Sequence, residues 1–527
     1  MTPTVDAPGG RVRWALALMG LALTVFGVVA LSGPGRIDIE DGQTRFESGR
    51  SLIEHGDTAI RDPRLVWFRL PGRGGLDYTL YRFPQELIAA GCIAIADATG
   101  PVAEGRRHFI FSLHGAVAAA ALAMAYAVWF RRRGRTPAAA VAWAAGGVFC
   151  APCWYYATST FDDILGALTV VAAIVLADAA RTSGGWRLWA AAGCVGLALN
   201  CKQPLAVVLL PALALADDPT RPLRMRLARA AVLGLGFAGG YAVYVGYEAW
   251  KFPPAYQAER AAVQATKDPP MFFGASPVEA LLDYIAGPSS GSVWYFPPVL
   301  LCAAGLRAWW RAGRGRVVAA VVVACGAAVA VFSTLTFYKG GVCWGPRYLT
   351  PLFALLWLFA PDGVAGLSRP LTRLLLTAGV VVQLLGLAVV PERLYLERQL
   401  PSNFYTVDPW LYFHGAVSHL LNRPRELIDA LTAPPAPEFT PAPTPTFTLP
   451  VLEPPYYSGP KGAEGVHRYT LLNTLRPWWA TFRYLPPDQR PVELNRTVAL
   501  LVLLTFVGLA AGGAGLTSHH CRLMSTA

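Results

Sequence analysis

Charged side chains are scarce in this chain. Asp, Glu, Lys and Arg supply 15% of its 527 residues, against about 25% in an ordinary soluble protein. Hydrophobic residues supply 54%, so the membrane class is favoured before any segment is drawn. Other features are missing too. The nine cysteines are scattered, mostly inside apolar windows, and read as small core residues rather than a disulfide framework. Cys150-Ala-Pro-Cys153 has redox spacing but lies in an apolar stretch with no second pair. No histidines show metal-ligand spacing apart from His414 and His419, and that pair suits a surface helix. A divalent metal is therefore not indicated, and no cofactor is assigned. A nucleotide-binding glycine loop and an internal repeat are absent as well. The stretch from Trp14 to Leu31 follows Arg11 and Arg13, but its length suits a retained first span better than a cleaved signal peptide.

A span needs about 20 apolar residues, fewer where protein shields the helix. Candidate windows are 14–32, 108–130, 137–157, 163–180, 187–201, 203–216, 228–249, 292–310, 317–338, 348–361, 373–391 and 498–516. The expected fold class is an all-α polytopic membrane protein of about 12 transmembrane helices. Pro204, Pro211, Pro297 and Pro298 interrupt some windows, and broken helices at membrane depth are tolerated where they line a cavity.

The net charge of +12 sits mostly in short loops, so it reads as orientation rather than as a nucleic-acid surface. Arg131-Arg132-Arg133 with Arg135, then Arg181 and Arg187, then Arg221, Arg224, Arg226 and Arg229 fall in alternate loops. Arg307, Arg311, Arg314 and Arg316 follow, and then Arg369 and Arg373. With Arg11 and Arg13 they share one side, which the positive-inside rule makes cytoplasmic. Both termini are expected there, in a multi-pass protein of the inner (plasma) membrane. The outer side receives the long segments 33–107, 250–291 and 392–497. The first has helical periodicity and is expected to form helices along the outer surface. The third contains a proline-rich connector, 433–457, and separates the region 1–391 from a last span and tail in 498–527.

Two outer loops carry groups suited to chemistry. Just after the first window come Asp38, Glu40 and Asp41. A carboxylate in the partly dehydrated zone beside a span can have its proton affinity raised enough to act as a base; the same acids also suit a solvated surface helix. Late in the chain, Lys339 and Arg347 flank Gly340-Gly341, Trp344 and Gly345-Pro346. Cations on a glycine-rich turn suit a phosphate, although two interfacial anchors would read the same way. Lys202 lies between two short windows, where an ammonium is expensive unless paired. Asp162 and Asp163 open a span on the same side, where the helix dipole alone would account for them.

These residues bear a resemblance. Asp41, Phe46, Arg50-Ser51-Leu52 and Gly56-Asp57 resemble the first outer loop of the GT-C superfamily of membrane glycosyltransferases. The likeness is to the bacterial family 39 or dolichyl-phosphate-mannose-protein mannosyltransferase-like branch, which includes aminoarabinose transferases. The segment from Gly287 to Pro298 and the turn Trp344-Gly345-Pro346-Arg347-Tyr348-Leu349 are similar to further motifs of that branch. There are departures. One acid, Asp41 followed by Gly42, stands where the family often has a pair. Tyr81-Arg82-Phe83-Pro84 replaces the His/Lys-Pro-Pro segment of protein mannosyltransferases, which argues against a protein-mannosylating role.

The resemblance implies a GT-C-like bundle and a polyprenyl-phosphate sugar donor. It implies Asp41 as the base in an inverting transfer to a cell-envelope acceptor (glycan, lipid or protein). Arg347, Lys339 and Lys202 would hold the donor phosphate. Glu40, Asp162, Asp163, Trp344 and Tyr348 would support the site or the acceptor. A transporter or flippase of lipid-linked glycans is the alternative, and a non-catalytic envelope-assembly protein a third reading. The charges at the outer boundary and the absence of a repeat favour the transferase. Reporter fusions after Arg133, Arg226 and Arg314 should report cytoplasm, and fusions near Asp57 and Pro443 the outer side. An outer signal at Arg226 would break the shared-side arrangement.

Overall fold

A computed structural model describes residues 8–62, 65, 69–100, 102–183, 185–266, 273, 276–336, 338–340, 343–389, 418–432, 475–481 and 496–525. The proline-rich connector 433–457 and His414 lie outside the described residues, as does the side chain of Glu40. In each of the twelve apolar windows the described residues are mainly helix or short helical pieces. Among the described residues, seven helices are long and apolar enough to cross a membrane. An eighth is added if Arg347–Trp357 and Ala360–Gly366, bent by 64°, form one span. The chain is an all-α, multi-pass membrane protein. Shorter apolar helices among the described residues, such as Pro137–Phe149 and Gln203–Ala216, fall below the ~20 residues of a full crossing.

Helix α1 (Pro8–Ser32) packs along the last helix, Arg496–Ser525. Glycines set the spacing. A Cβ on Gly20 would come 2.4 Å from Thr517 Oγ1, and one on Gly27 2.7 Å from the Phe506 carbonyl. Small residues allow such approach where lipid gives no hydrophobic drive. As the number rises in α1, its partner's falls, so the pair is antiparallel. Arg13 donates to the Leu523 carbonyl at 3.3 Å, which brings the start of α1 and the end of the last helix to one end of the bundle.

At the other end the chain leaves α1 and forms α2 (Glu40–His55), closed by Gly56 in the left-handed conformation (φ 73°). That conformation caps a helix at little cost only for glycine. A short hairpin, Leu70–Pro71 against Asp77–Tyr78, follows, and then α3 (Phe83–Ala98), which begins with proline in its first turn. Ile37, Phe46, Ala89, Ile93 and Phe111 form a small core that joins α2 to α3. Helices α4 (Glu104–Ser112) and α5 (His114–Arg132) carry the chain back across the bundle. Next come α6 (Pro137–Phe149), α7 (Cys153–Ala157), α8 (Asp163–Ser183), α9 (Trp186–Cys201), α10 (Leu209–Ala216) and α11 (Leu223–Lys251). Lys251, at the end of α11, donates to the carbonyls of Thr79 (2.7 Å) and Tyr81 (2.8 Å). Tyr247 hydrogen-bonds Glu86. These contacts fasten the start of α3 over the bundle.

Several of the arginines read as orientation signals pair with acids at the far end of α8 and in adjoining loops. Arg133 meets Asp178 at 2.7 Å, Arg135 meets Asp362, and Arg316 meets Asp217 at 3.0 Å. Asp163, by contrast, starts α8. The arginine loops and the turn that carries Asp162 and Asp163 therefore lie at opposite ends of that helix.

Candidate functional site

Four separate pieces of chain converge where α8 begins. The first two turns of α2 supply Asp41 and Arg45. The turn before α8 supplies Thr160, Phe161 and Asp162, and α8 itself supplies Asp163. Lys202 follows α9, and Arg347 opens the short helical turn Arg347–Leu349 that precedes the helix Thr350–Trp357. Arg347 is the hub. Its Nη2 donates to Asp41 Oδ2 at 2.7 Å and its Nε to Asp163 Oδ2 at 2.9 Å. Its Nη1 donates to the Gly340 carbonyl at 2.8 Å, and the guanidinium stacks 3.4 Å above the Phe161 ring. Gly340 is in the left-handed region (φ 88°), and a Cβ there would lie 2.6 Å from Arg347 Cδ. Glycine is required at that turn both for its backbone angle and for its lack of side chain.

Lys202 is paired, as the cost of an ammonium there demands. It contacts Asp163 directly and Asp162 at 3.6 Å, and lies 4.9 Å from the centre of the Tyr348 ring. Arg45 reaches Asp162 at 3.5 Å and Asp41 at 3.8 Å, donates to the Thr160 carbonyl at 3.2 Å and packs on Tyr81. Gln85, in the first turn of α3, donates to Asp162 at 2.5 Å. Three carboxylates and three cations thus form one network.

The three carboxylates are not equivalent. The side chain of Asp41 is 19% exposed, that of Asp162 4% and that of Asp163 0%. Asp41 is the acid of this network best placed to meet a diffusing partner. Burial raises its proton affinity, but the positive charges of Arg347 and Arg45 and a hydrogen bond from Tyr81 outweigh that effect and hold its carboxyl below the usual range. Asp162 is lowered likewise: burial is opposed and overcome by Lys202, Arg45 and Arg347. In this arrangement Asp41 is a carboxylate firmly held by its partners.

Other candidates are placed differently. Asp38 accepts from Thr160 N at 3.0 Å and from Arg476 Nη2 at 2.8 Å. It therefore shapes the turn before α8 and ties it to a distant segment. Lys339 is directed elsewhere in the structure: it contacts Ser289, and Asp283 at 3.3 Å. Burial pulls its ammonium down to about 7 against the attraction of Asp283. That cluster, and not the Asp41 network, holds its ammonium in the free protein. It braces the turn, because Gly340, which holds Arg347, is the next residue. Trp344 is fully buried against Tyr155 and Tyr295, and its carbonyl accepts from Tyr156 at 2.8 Å. It packs the turn from behind rather than facing the network. Tyr348 does border the network, through Lys202.

Arg45, Gln85, Tyr81 and Phe161 were not singled out from the sequence. Arg45 had a signal, since it stands four residues after Asp41 on one helix. Gln85 had none, because its role depends on how α3 lies against the bundle. Among the described residues no group of His, Cys, Asp and Glu is arranged to hold a metal ion.

No family model and no curated protein matches the chain. Among solved structures it is similar to the crystal structure of ArnT from Cupriavidus metallidurans bound to undecaprenyl phosphate. The identity is 17% and the TM-score 0.42, over 91% of this chain and 90% of that one. A likeness of this degree leaves the family of the chain open.

The network predicts unequal stability losses. Asp163→Asn removes a fully buried negative charge and one of the two acceptor oxygens shared by Arg347 and Lys202, and should cost about 3–5 kcal/mol. Asp57→Asn, which breaks the more exposed pair with Arg61, should cost about 1 kcal/mol or less. Unfolding in detergent measures both, and equal losses would contradict the central place given to Asp163.

Proposed function

We propose that this protein is an integral membrane glycosyltransferase of the GT-C kind. It moves a sugar from a polyprenyl-phosphate donor to a cell-envelope acceptor at the outer face of the membrane. The observation that carries the reading is Arg347. Its guanidinium, able to match two phosphate oxygens, touches the most accessible carboxylate of the network and has Lys202 beside their shared partner Asp163. The motif resemblance of the sequence points the same way.

In the proposed reaction the acceptor hydroxyl attacks the anomeric carbon from the face opposite the phosphate, and its proton passes to Asp41. The bond between that carbon and the phosphate oxygen breaks. Its electron pair leaves on the polyprenyl phosphate, whose negative charge is met by Arg347 and Lys202. The sugar configuration inverts. Asp162 and Asp163 hold the cations in position, and Tyr348 walls the cation side.

The low proton affinity of Asp41 in the free protein makes it a weak base until something draws Arg347 away. A donor phosphate competes for that guanidinium. As Arg347 turns to the phosphate, the attraction that stabilises the Asp41 carboxylate weakens and its proton affinity rises. Binding of the donor thereby prepares the base.

The test is transfer of radiolabelled sugar from polyprenyl-phosphate donors in membranes. Asp41→Asn should lower turnover by about 10²-fold or more with protein level unchanged. Activity needs ionised Asp41, so it should fall as pH drops through that group's pKa. For kcat/KM of the donor, which reports the free protein, that acid limb should lie below 3.8. For kcat, which reports the loaded protein, it should lie at higher pH. Near-normal transfer by Asp41→Asn would remove the base, and coincident limbs would remove the donor-linked release.

A further inference from the structure

A second group of arginines gathers at the opposite end of α8. Arg181 lies 18 residues after Asp163 on that helix, about 27 Å away at 1.5 Å per residue. Arg221 donates to the Arg181 carbonyl at 2.9 Å and to Asp218 Oδ2 at 3.2 Å. Arg229, in the second turn of α11, is close enough to feel the charges of Arg221, Arg181, Asp218 and Asp217.

Arg229 differs from these neighbours. It is 8% exposed, and its Nε and Nη2 are buried with no hydrogen-bond partner. Among the described residues it makes no ion pair. The two nearby carboxylates are already engaged. Asp218 accepts from Arg221 and from Thr220 N (3.2 Å) and Oγ1 (2.7 Å). Asp217 accepts from Arg226 at 2.5 and 2.8 Å and from Arg316 at 3.0 Å. Five arginines therefore face two aspartates. A buried guanidinium without an acceptor is costly, and an anion with several oxygens would relieve that cost.

We propose that Arg229, with Arg221 and Arg181, forms a phosphate-binding site at the end of the bundle away from the Asp41 network. The guanidinium fork matches phosphate oxygens. At a membrane edge that phosphate comes either from an anionic lipid headgroup or from free phosphate in solution. The site is independent of the transfer reaction and stands whether or not that reaction is the right one.

The experiment uses the full chain, purified in detergent and stripped of lipid. In one arm native mass spectrometry follows titration with phosphatidylglycerol; in the other, thermal unfolding follows titration with inorganic phosphate. Arg229→Gln should lower the affinity of the responding ligand by about tenfold, the loss expected for a charge-assisted hydrogen bond. Arg224→Gln, at an exposed position on the same helix, should leave it unchanged. A response confined to phosphatidylglycerol assigns the site to a headgroup, and a response to inorganic phosphate alone assigns it to the free anion. Arg221→Gln repeats the test from the loop should Arg229→Gln not fold. If the foldable variants bind both ligands as the unaltered chain does, or if the unaltered chain responds to neither, the site does not exist.

Discussion

A guanidinium almost out of water has to be neutralised, and Arg347 organises this end of the molecule because of that. With 6% of its side chain exposed, it needs an acceptor for each nitrogen, at a cost of several kcal/mol if any is missing. The acceptors come from three places: Asp41 on α2, 306 residues away, Asp163 at the head of α8, and the Gly340 carbonyl in its own turn. No two of these are neighbours in sequence. The ion network therefore exists only when the surface helices, the head of α8 and the late turn are all in register.

Much of the surrounding architecture serves that register. The core around Phe46 and Ala89 holds α2 against α3, so that Gln85 meets Asp162. Lys251 and Tyr247 fasten the start of α3 to α11. Asp38 and Arg476 fix the turn from Ser159 to Thr160, and the Lys339–Asp283 pair braces the residue before Gly340. Each of these lies one contact away from the network. In the proposed function the same network has a second role, because the hub cation is also the group a phosphate would recruit. Structural neutralisation and donor recognition then compete for one side chain, and this competition couples the two substrates.

The helical membrane class was legible in the sequence because apolar windows and loop arginines are local signals with few other meanings. Hydropathy alone does not separate a short apolar helix such as Gln203–Ala216 from a spanning one. Asp41, Lys202 and Arg347 were legible as charges placed where charges are expensive. Asp162 and Asp163 were visible but had a sufficient local explanation in the helix dipole, and only the fold reveals the cations facing them. Lys339 and Arg347, two cations on one turn, look alike in sequence. The left-handed Gly340 turns one of them toward Asp41 and leaves the other with Asp283. Arg476 carried no signal, since nothing local to it marks a partner more than four hundred residues earlier.

The most direct measurement is a cryo-EM structure of the full chain with a polyprenyl phosphate bound. The account predicts the phosphate within hydrogen-bond reach of Arg347 and Lys202, with the Arg347–Asp41 contact, 2.7 Å in the free protein, lengthened and Asp41 open to the acceptor side. A phosphate bound elsewhere, with Arg347 still fastened to Asp41, would make the network purely structural and contradict the account.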